Sequence, residues 1–469
     1  MTWIVARLEG PSDGAAPPAR PPTARRWPAL RDLTLAGPGL VDSLRALGAE
    51  PWPRLMTLCI GTSPVTESCK FGAPGARALA AASPRLAALT ELELRVPISA
   101  AELEEVLRGE WSALESLSVY EFYGGCGAAL PPAPALAAQP RMRDLTLCMR
   151  GGWEAEGAMA RWVAARGWPL EDLSIDVSDA GTIAALVAAP NLALQSLQVY
   201  RADAAALCAA AAAPWPLESL EFTFYATPSA AAFRALARAA WPELIGFSAY
   251  VEDLRPNSDE DSGDEGEALD DAAFALCPKM EGLHLSCVPV GATGVQALTT
   301  RLCKSLQYLS LVRAQLDNDA LAPLSLVAWP ALESLDLSRN KLTDAAMAAL
   351  ARGSWPALAN LNLSINMLSD AALAALARGA WPALERLNLS SNKLSDAELA
   401  AAACNTWPTL VCLQLSNNLF SDDLIAALAR REWPALVELN FRGAGIQARP
   451  TLADVRQWAP AMRIFREDP

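Results

Sequence analysis

Histidine is almost missing from this chain: His284 is the only one in 469 residues. One imidazole cannot build a multi-histidine metal centre, and its nearest thiol, Cys287, does not make a zinc site with it. No Cys-x-x-Cys pair occurs among the ten cysteines, which are scattered rather than grouped at either end. That pattern argues against a disulfide framework and favours a reducing, intracellular compartment. There is no glycine-rich phosphate loop and no nucleophile elbow, and no apolar run reaches the roughly 18 residues of a membrane span. The opening MTWIVARLEG is too short in its apolar part for a secretory signal. Basic side chains are also outnumbered, 38 Lys and Arg against 52 Asp and Glu, for a net charge of −14. An acidic chain is poorly suited to phosphate backbones. These absences predict a protein that is no enzyme, holds no cofactor or metal, and binds neither membrane nor nucleic acid.

What the chain has is a period. Trp-Pro pairs begin at Trp329, Trp355, Trp381, Trp407 and Trp433, always 26 residues apart. A fixed period of this length marks a solenoid, whose units bury their apolar faces only by stacking on one another. Within WPALESLDLSRNKLTDAAMAALARGS, Leu332, Leu335 and Leu337 alternate at strand spacing, and Met347 and Leu350 shift to helix spacing. Asp344 is expected to cap the helix and Gly353 to end it in a left-handed conformation.

The Leu-x-Leu strand core begins at Leu33, Leu58, Leu92, Leu117, Leu145, Leu173, Leu197, Leu220, Phe247, Leu283, Leu309, Leu335, Leu361, Leu387, Leu413 and Leu439. That predicts sixteen units over residues 27–446, with end pieces at 1–26 and 447–469, the latter a C-terminal cap.

LESLDLSRNKLTD, LANLNLSINMLSD, LERLNLSSNKLSD and LVCLQLSNNLFSD fit the pattern L-x-x-L-x-L-x-x-N-x-L. The chain thus resembles the leucine-rich repeat family, and its D-A-A-L-A-A-L-A helix is similar to the ribonuclease-inhibitor-like subclass. The resemblance implies an α/β horseshoe with parallel strands on the concave face and short helices on the convex face, and no particular activity. Physics agrees: strands stack about 4.8 Å apart and helices about 8 to 10 Å, so such a stack curves. Two narrower functions come with the resemblance. One is the substrate-receptor arm of a ubiquitin ligase, although only 26 residues precede the first unit. The other is a GTPase-activating protein similar to the Ran GTPase-activating protein, in which the acidic stretch follows the repeats instead of interrupting them.

Asn340, Asn366, Asn392 and Asn418 recur where each strand gives way to a turn. An amide there can satisfy backbone groups that the turn strands, so a structural ladder is expected, not a catalytic row. Eleven of the fifteen tryptophans stand at the Trp-Pro position or its Trp-Ser variant, where core packing is the expected role.

One segment breaks the period. Residues 252–271 carry ten carboxylates against Arg255, net −9, and read as a disordered acidic loop. Gly263 falls where a calcium loop needs a ligand. Ser258 and Ser262 each have an acid three residues on, which makes them candidate phosphorylation sites.

Function is expected on the concave strands, whose outward side chains are free of core duties. Four columns are available there: the residue before each Leu-x-Leu, its centre, and the two residues after it. They place Tyr120, Glu121, Asp172, Asp176, Tyr200, Glu221, Phe224, Tyr250 and Tyr308 on that face. Tyrosine offers rigid contact area with a polar tip, and surrounding carboxylates suit a basic partner. The reading is a non-catalytic scaffold for a basic protein, cytoplasmic by default, with cytoskeletal or ciliary assemblies as settings that the resemblance raises.

Overall fold

The structure is a computed structural model that describes residues 3–8, 29–37, 39–61, 71–123, 141–149, 158–176, 180–189, 192–239, 241–252, 267–274, 279–396, 407–429, 432–443 and 452–466. It divides into two compact units, Met1–Leu217 and Glu218–Pro469.

In unit 1, β1 (Trp3–Leu8) lies antiparallel to β2 (Leu30–Ala36). Parallel strands follow: β3 (Thr57–Gly61), β4 (Glu91–Arg95), the short β5 (Ile98–Ser99), β6 (Ser116–Tyr123), β7 (Asp144–Met149), β8 (Asp172–Asp176) and β9 (Ser196–Ala202). Register runs straight through the leucines, Leu33 opposite Leu58, then Leu92, Leu117, Leu145, Leu173 and Leu197. All of them are buried. Because strand side chains alternate, a one-residue slip would turn the whole column outward, so burial of the leucines fixes the register.

Unit 2 repeats the arrangement with β10 (Ser219–Phe224), β11 (Gly246–Val251), β12 (Gly282–Ser286), β13 (Tyr308–Val312), β14 (Ser334–Asp336), β15 (Asn360–Asn362), β16 (Arg386–Asn388), β17 (Cys412–Gln414), β18 (Glu438–Asn440) and β19 (Ile464–Arg466). Its column runs from Leu220 through Phe247 and the leucines to Leu439, and then to Phe465 in the terminal strand. Short helices follow most of the strands among the described residues; Asp344–Leu350 buries Ala346, Met347, Ala349 and Leu350 against the leucine side. On the opposite side of each sheet, its open face, the residues that alternate with the leucines are mostly half-buried or exposed.

Strand length in unit 2 is set by backbone handedness. Cys287, Arg313, Arg339, Ile365, Ser391 and Asn417 hold φ between 50° and 59°, as does Gln315 in the same repeat as Arg313, and leave the extended conformation there. The asparagine that follows in the ladder repeats is buried and satisfies the exposed backbone. Asn366 Nδ2 donates to the carbonyls of Leu337 (3.1 Å), Leu363 (3.1 Å) and Ser364 (3.3 Å), and its Oδ1 accepts from Leu342 N–H at 3.2 Å. Asn340, Asn392 and Asn418 each donate to three carbonyls in the same way, two in their own repeat and one in the repeat before.

Three local expectations need correction. Thr343, not Asp344, stands at the helix N-cap; Asp344 reaches forward into the next repeat, where it accepts from Ser369 N–H (2.8 Å) and Oγ (2.6 Å). Asp370 does the same with Ser395, and Asp396 with Ser421, so a second inter-repeat ladder runs along the helix starts. Gly353 is not left-handed. It is glycine because a Cβ there would stand 2.6 Å from the Trp355 indole nitrogen. The tryptophans themselves close the helices: Nε1 of Trp329, Trp355, Trp381 and Trp433 donates to the carbonyl five residues earlier, at 2.8 to 3.1 Å. A helix leaves its last carbonyls without intrahelical partners, and the indole takes one of them.

The third correction concerns the acidic segment. Residues 253–266, with Ser258 and Ser262, lie outside the described residues, but 267–271 are held on the surface of unit 2 through the buried Leu269 and ion pairs. Leu269 is buried and its N–H donates to Pro289 O at 3.1 Å. Arg234 pairs with Glu267 and Asp270, Arg301 pairs with Asp271, and Asp270 caps Ala273 N–H at 3.0 Å. A charge run read as a solvated loop therefore ends as a clamped turn, because two arginines on neighbouring helices meet its carboxylates.

Candidate functional site: the open strand faces

Each unit presents its own open face. On unit 1, Tyr120 is 40% exposed with the Arg95 guanidinium 5.0 Å over its ring, and Arg95 in turn pairs with Glu93 at 3.0 Å. Glu121 follows Tyr120 and is half-buried. Thr57 Oγ1 donates to Glu91 at 3.2 Å. Tyr200 is half-buried, its hydroxyl donating to Gln198 Oε1 at 3.0 Å, where Ser174 Oγ also donates at 2.9 Å.

Asp144 and Asp172 occupy the same column on adjacent strands, directly in register. Burial, followed by the Asp172 carboxyl and the nearby charges of Glu171 and Glu115, pushes Asp144 up from 3.8 to about 6. The folded state therefore binds a proton that the unfolded chain releases near pH 4, so the stability this group contributes is complete below that pH and is lost as pH rises through about 6. Asp144 is half-exposed, and solvent screening reduces the effect to about 1 kcal/mol. Denaturant titrations of Asp144→Asn and the parent should coincide at pH 4, with the variant more stable by that amount at pH 7.5. A difference that does not change with pH would refute the raised pKa of Asp144.

Asp176 departs from its expected place. It is buried, and Arg201 of the next strand clasps both carboxylate oxygens, so its charge is spent within the protein.

On unit 2, Glu221 sits half-buried at the centre of β10, and burial raises its pKa. Tyr250 and His284 are in contact across β11 and β12, with ring centroids 4.4 Å apart. Burial lowers the pKa of His284, and the Asp336 charge partly opposes that shift. Tyr308 is 52% exposed, its hydroxyl 3.4 Å from Glu333. Phe224 is a correction: it is fully buried and stacks on Phe222 at 5.6 Å. β10 stays extended through residue 224, with no left-handed residue to end it, so alternation carries Phe224 to the leucine side. Tyr225, just past the end of β10, is 46% exposed. It falls outside the four columns, and no spacing signal singles it out.

Among the described residues no cluster of three potential metal ligands occurs, and no helix is long and apolar enough to cross a membrane. Comparison with known proteins bears on the fold of these strand faces. A family profile described as Leucine Rich repeat matches residues 330–351. Among solved structures, the TLR13–ssRNA13 complex is similar with a TM-score of 0.51 and 18% identity, over 93% of this chain and 60% of that one. The mouse RP105/MD-1 complex gives 0.40 and 16%, over 78% and 60%, and the yeast Rad7–Elc1 complex 0.41 and 14%, over 77% and 76%. This chain thus spans about three-fifths of the TLR13 chain it matches. No curated protein matches it in sequence. Each unit thus has the leucine-rich repeat fold, with parallel strands backed by a leucine column and short helices on the leucine side, and the profile places one repeat of that family at residues 330–351.

Proposed function

We propose that this chain is a non-catalytic protein-binding scaffold and that the open face of unit 1 receives a basic surface of its partner. The observation that carries the reading is Tyr120 standing exposed on a face bordered by Glu121, Asp144 and the exposed Asp172. An incoming lysine or arginine would relieve the repulsion between the two aspartates, while Tyr120 supplies contact area. Tyr200 adds a tethered hydroxyl. Asp176 contributes by holding Arg201 and is not itself a contact. Glu221, Tyr250 and Tyr308 form a separate contact surface on unit 2, proposed by itself. The ribonuclease-inhibitor-like subclass, a cytoplasmic location and a cytoskeletal or ciliary setting belong to this proposal too. The described cysteines, all free thiols, fit a reducing compartment.

The test uses the full chain and a labelled Lys/Arg-rich peptide, read by fluorescence anisotropy. Tyr120→Ala with Glu121→Lys and Asp172→Lys should weaken binding about tenfold or more, with the thermal melt retained. Equal affinity in parent and variant, or capture of oligonucleotide but not peptide by this face, would reject the assignment.

A further inference from the structure

The open face of unit 2 changes chemistry beyond β13. From β14 to β18 the four columns contain no aromatic side chain. The central column is Asp336, Asn362, Asn388, Gln414 and Asn440, one residue per strand. Three of these amides are held in one orientation. Oδ1 of Asn362, Asn388 and Asn440 accepts the N–H two residues further on, at 3.1, 3.0 and 3.3 Å. With the carbonyl end tied to the backbone, the amide nitrogen is the end that projects. Asn362 gives its nitrogen to Asp336 Oδ2 at 2.9 Å, which leaves Asn388 as a donor without an acceptor among the described residues.

The charges on this face point the same way. Arg339 and Arg386 are exposed, and neither is paired with a carboxylate among the described residues. Only Asp336 and Glu438 oppose them within the columns, and Asp336 is already occupied by Ser338 N–H at 2.8 Å and by Asn362. The face is rich in oriented donors and poor in free acceptors. A complementary ligand must bring acceptors and negative charge.

We propose that the β14–β18 face of unit 2 docks an extended acidic segment of a partner protein. Its carboxylates would lie against Arg339 and Arg386, and its peptide carbonyls against the projecting amide nitrogens. Strands about 4.8 Å apart offer one such position per strand to a chain crossing the sheet. Single-stranded nucleic acid satisfies the charge requirement but depends on aromatic platforms for its bases, which these columns lack. The inference stands apart from the unit 1 proposal, since the two faces call for ligands of opposite sign.

A short fluorescein-labelled Glu/Ser peptide, added to the full-length protein and followed by anisotropy, tests it. Binding is expected, weakening with salt and falling about tenfold in Arg339→Glu/Arg386→Glu. Arg386→Glu alone, at an exposed strand position, provides a milder variant with a smaller loss in the same direction should the double change unfold the chain. Asp172→Lys on unit 1 should leave this binding unchanged, so failure of one face is distinguishable from failure of the other. No binding of the peptide, equal affinity in parent and Arg386→Glu, or binding of oligo-uridine in preference to the peptide would each overturn the proposal.

Discussion

Trp355→Ala should lower the unfolding free energy by about 3 to 5 kcal/mol, the range for emptying a fully packed tryptophan site. The indole is buried between Trp329 and Trp381, with ring centroids 6.2 and 6.4 Å away and planes inclined by only 11°. Its Nε1 closes the preceding helix through Leu350 O at 2.9 Å. Truncation thus opens a cavity against two neighbouring repeats and orphans a helix-end carbonyl at once. Trp355→Phe separates these effects: it keeps most of the bulk, loses the hydrogen bond, and should cost about 1 to 3 kcal/mol. Because repeats are stabilised mainly by their neighbours, the denaturant slope should also fall in the alanine variant as part of unit 2 unfolds first. A loss under about 1 kcal/mol in urea titrations would mean that the ring is peripheral.

How far such features could be read beforehand depends on whether they are one-dimensional. The leucine column was legible because alternation and a fixed period place Leu309, Leu335 and Leu361 in register with no knowledge of side-chain contacts. The Asn ladder was legible for the same reason. The side taken by Phe224 is not legible in the same way, because it depends on where a strand ends, and that follows from a backbone angle rather than a residue type. The repeat marks Gly353 but not its cause, since the constraint comes from the Trp355 ring and not from the glycine's own φ.

Contacts across repeats were the least visible. The carboxylate of Asp344 serves Ser369 of the next repeat and not its own helix. Glu104, on the helix Ala100–Leu107, is buried with Arg166 and accepts from Trp162 Nε1 at 2.5 Å, across 58 residues of sequence. No spacing rule connects these three in the irregular early repeats. On the open faces, the polarity of each column could be read from sequence. Which charges were already spent, as Asp176 is on Arg201, required the fold.

The asparagine ladder sets the second large effect, and the choice of replacement separates hydrogen bonding from packing. Asn366→Ala removes a side chain that donates to three carbonyls and accepts one N–H, drawn from two consecutive repeats. Leaving buried backbone groups unpaired costs about 1 to 3 kcal/mol for each group that water cannot reach. Some water will enter the space vacated, so the expected total is about 2 to 4 kcal/mol. Asn366→Asp is nearly the same size but turns an oxygen toward those three carbonyls. At pH 7 it should be at least as damaging as alanine, because a buried carboxylate then faces three acceptors with no proton to offer. Protonation restores a donor, so the variant's folded pKa is raised, and its deficit should shrink as pH falls toward 4. Urea titrations of the parent, Asn366→Ala and Asn366→Asp chains at both pH values read the effect directly. If the Asn366→Asp change were tolerated at pH 7, the amide would be filling space and the turn carbonyls would be finding their partners elsewhere.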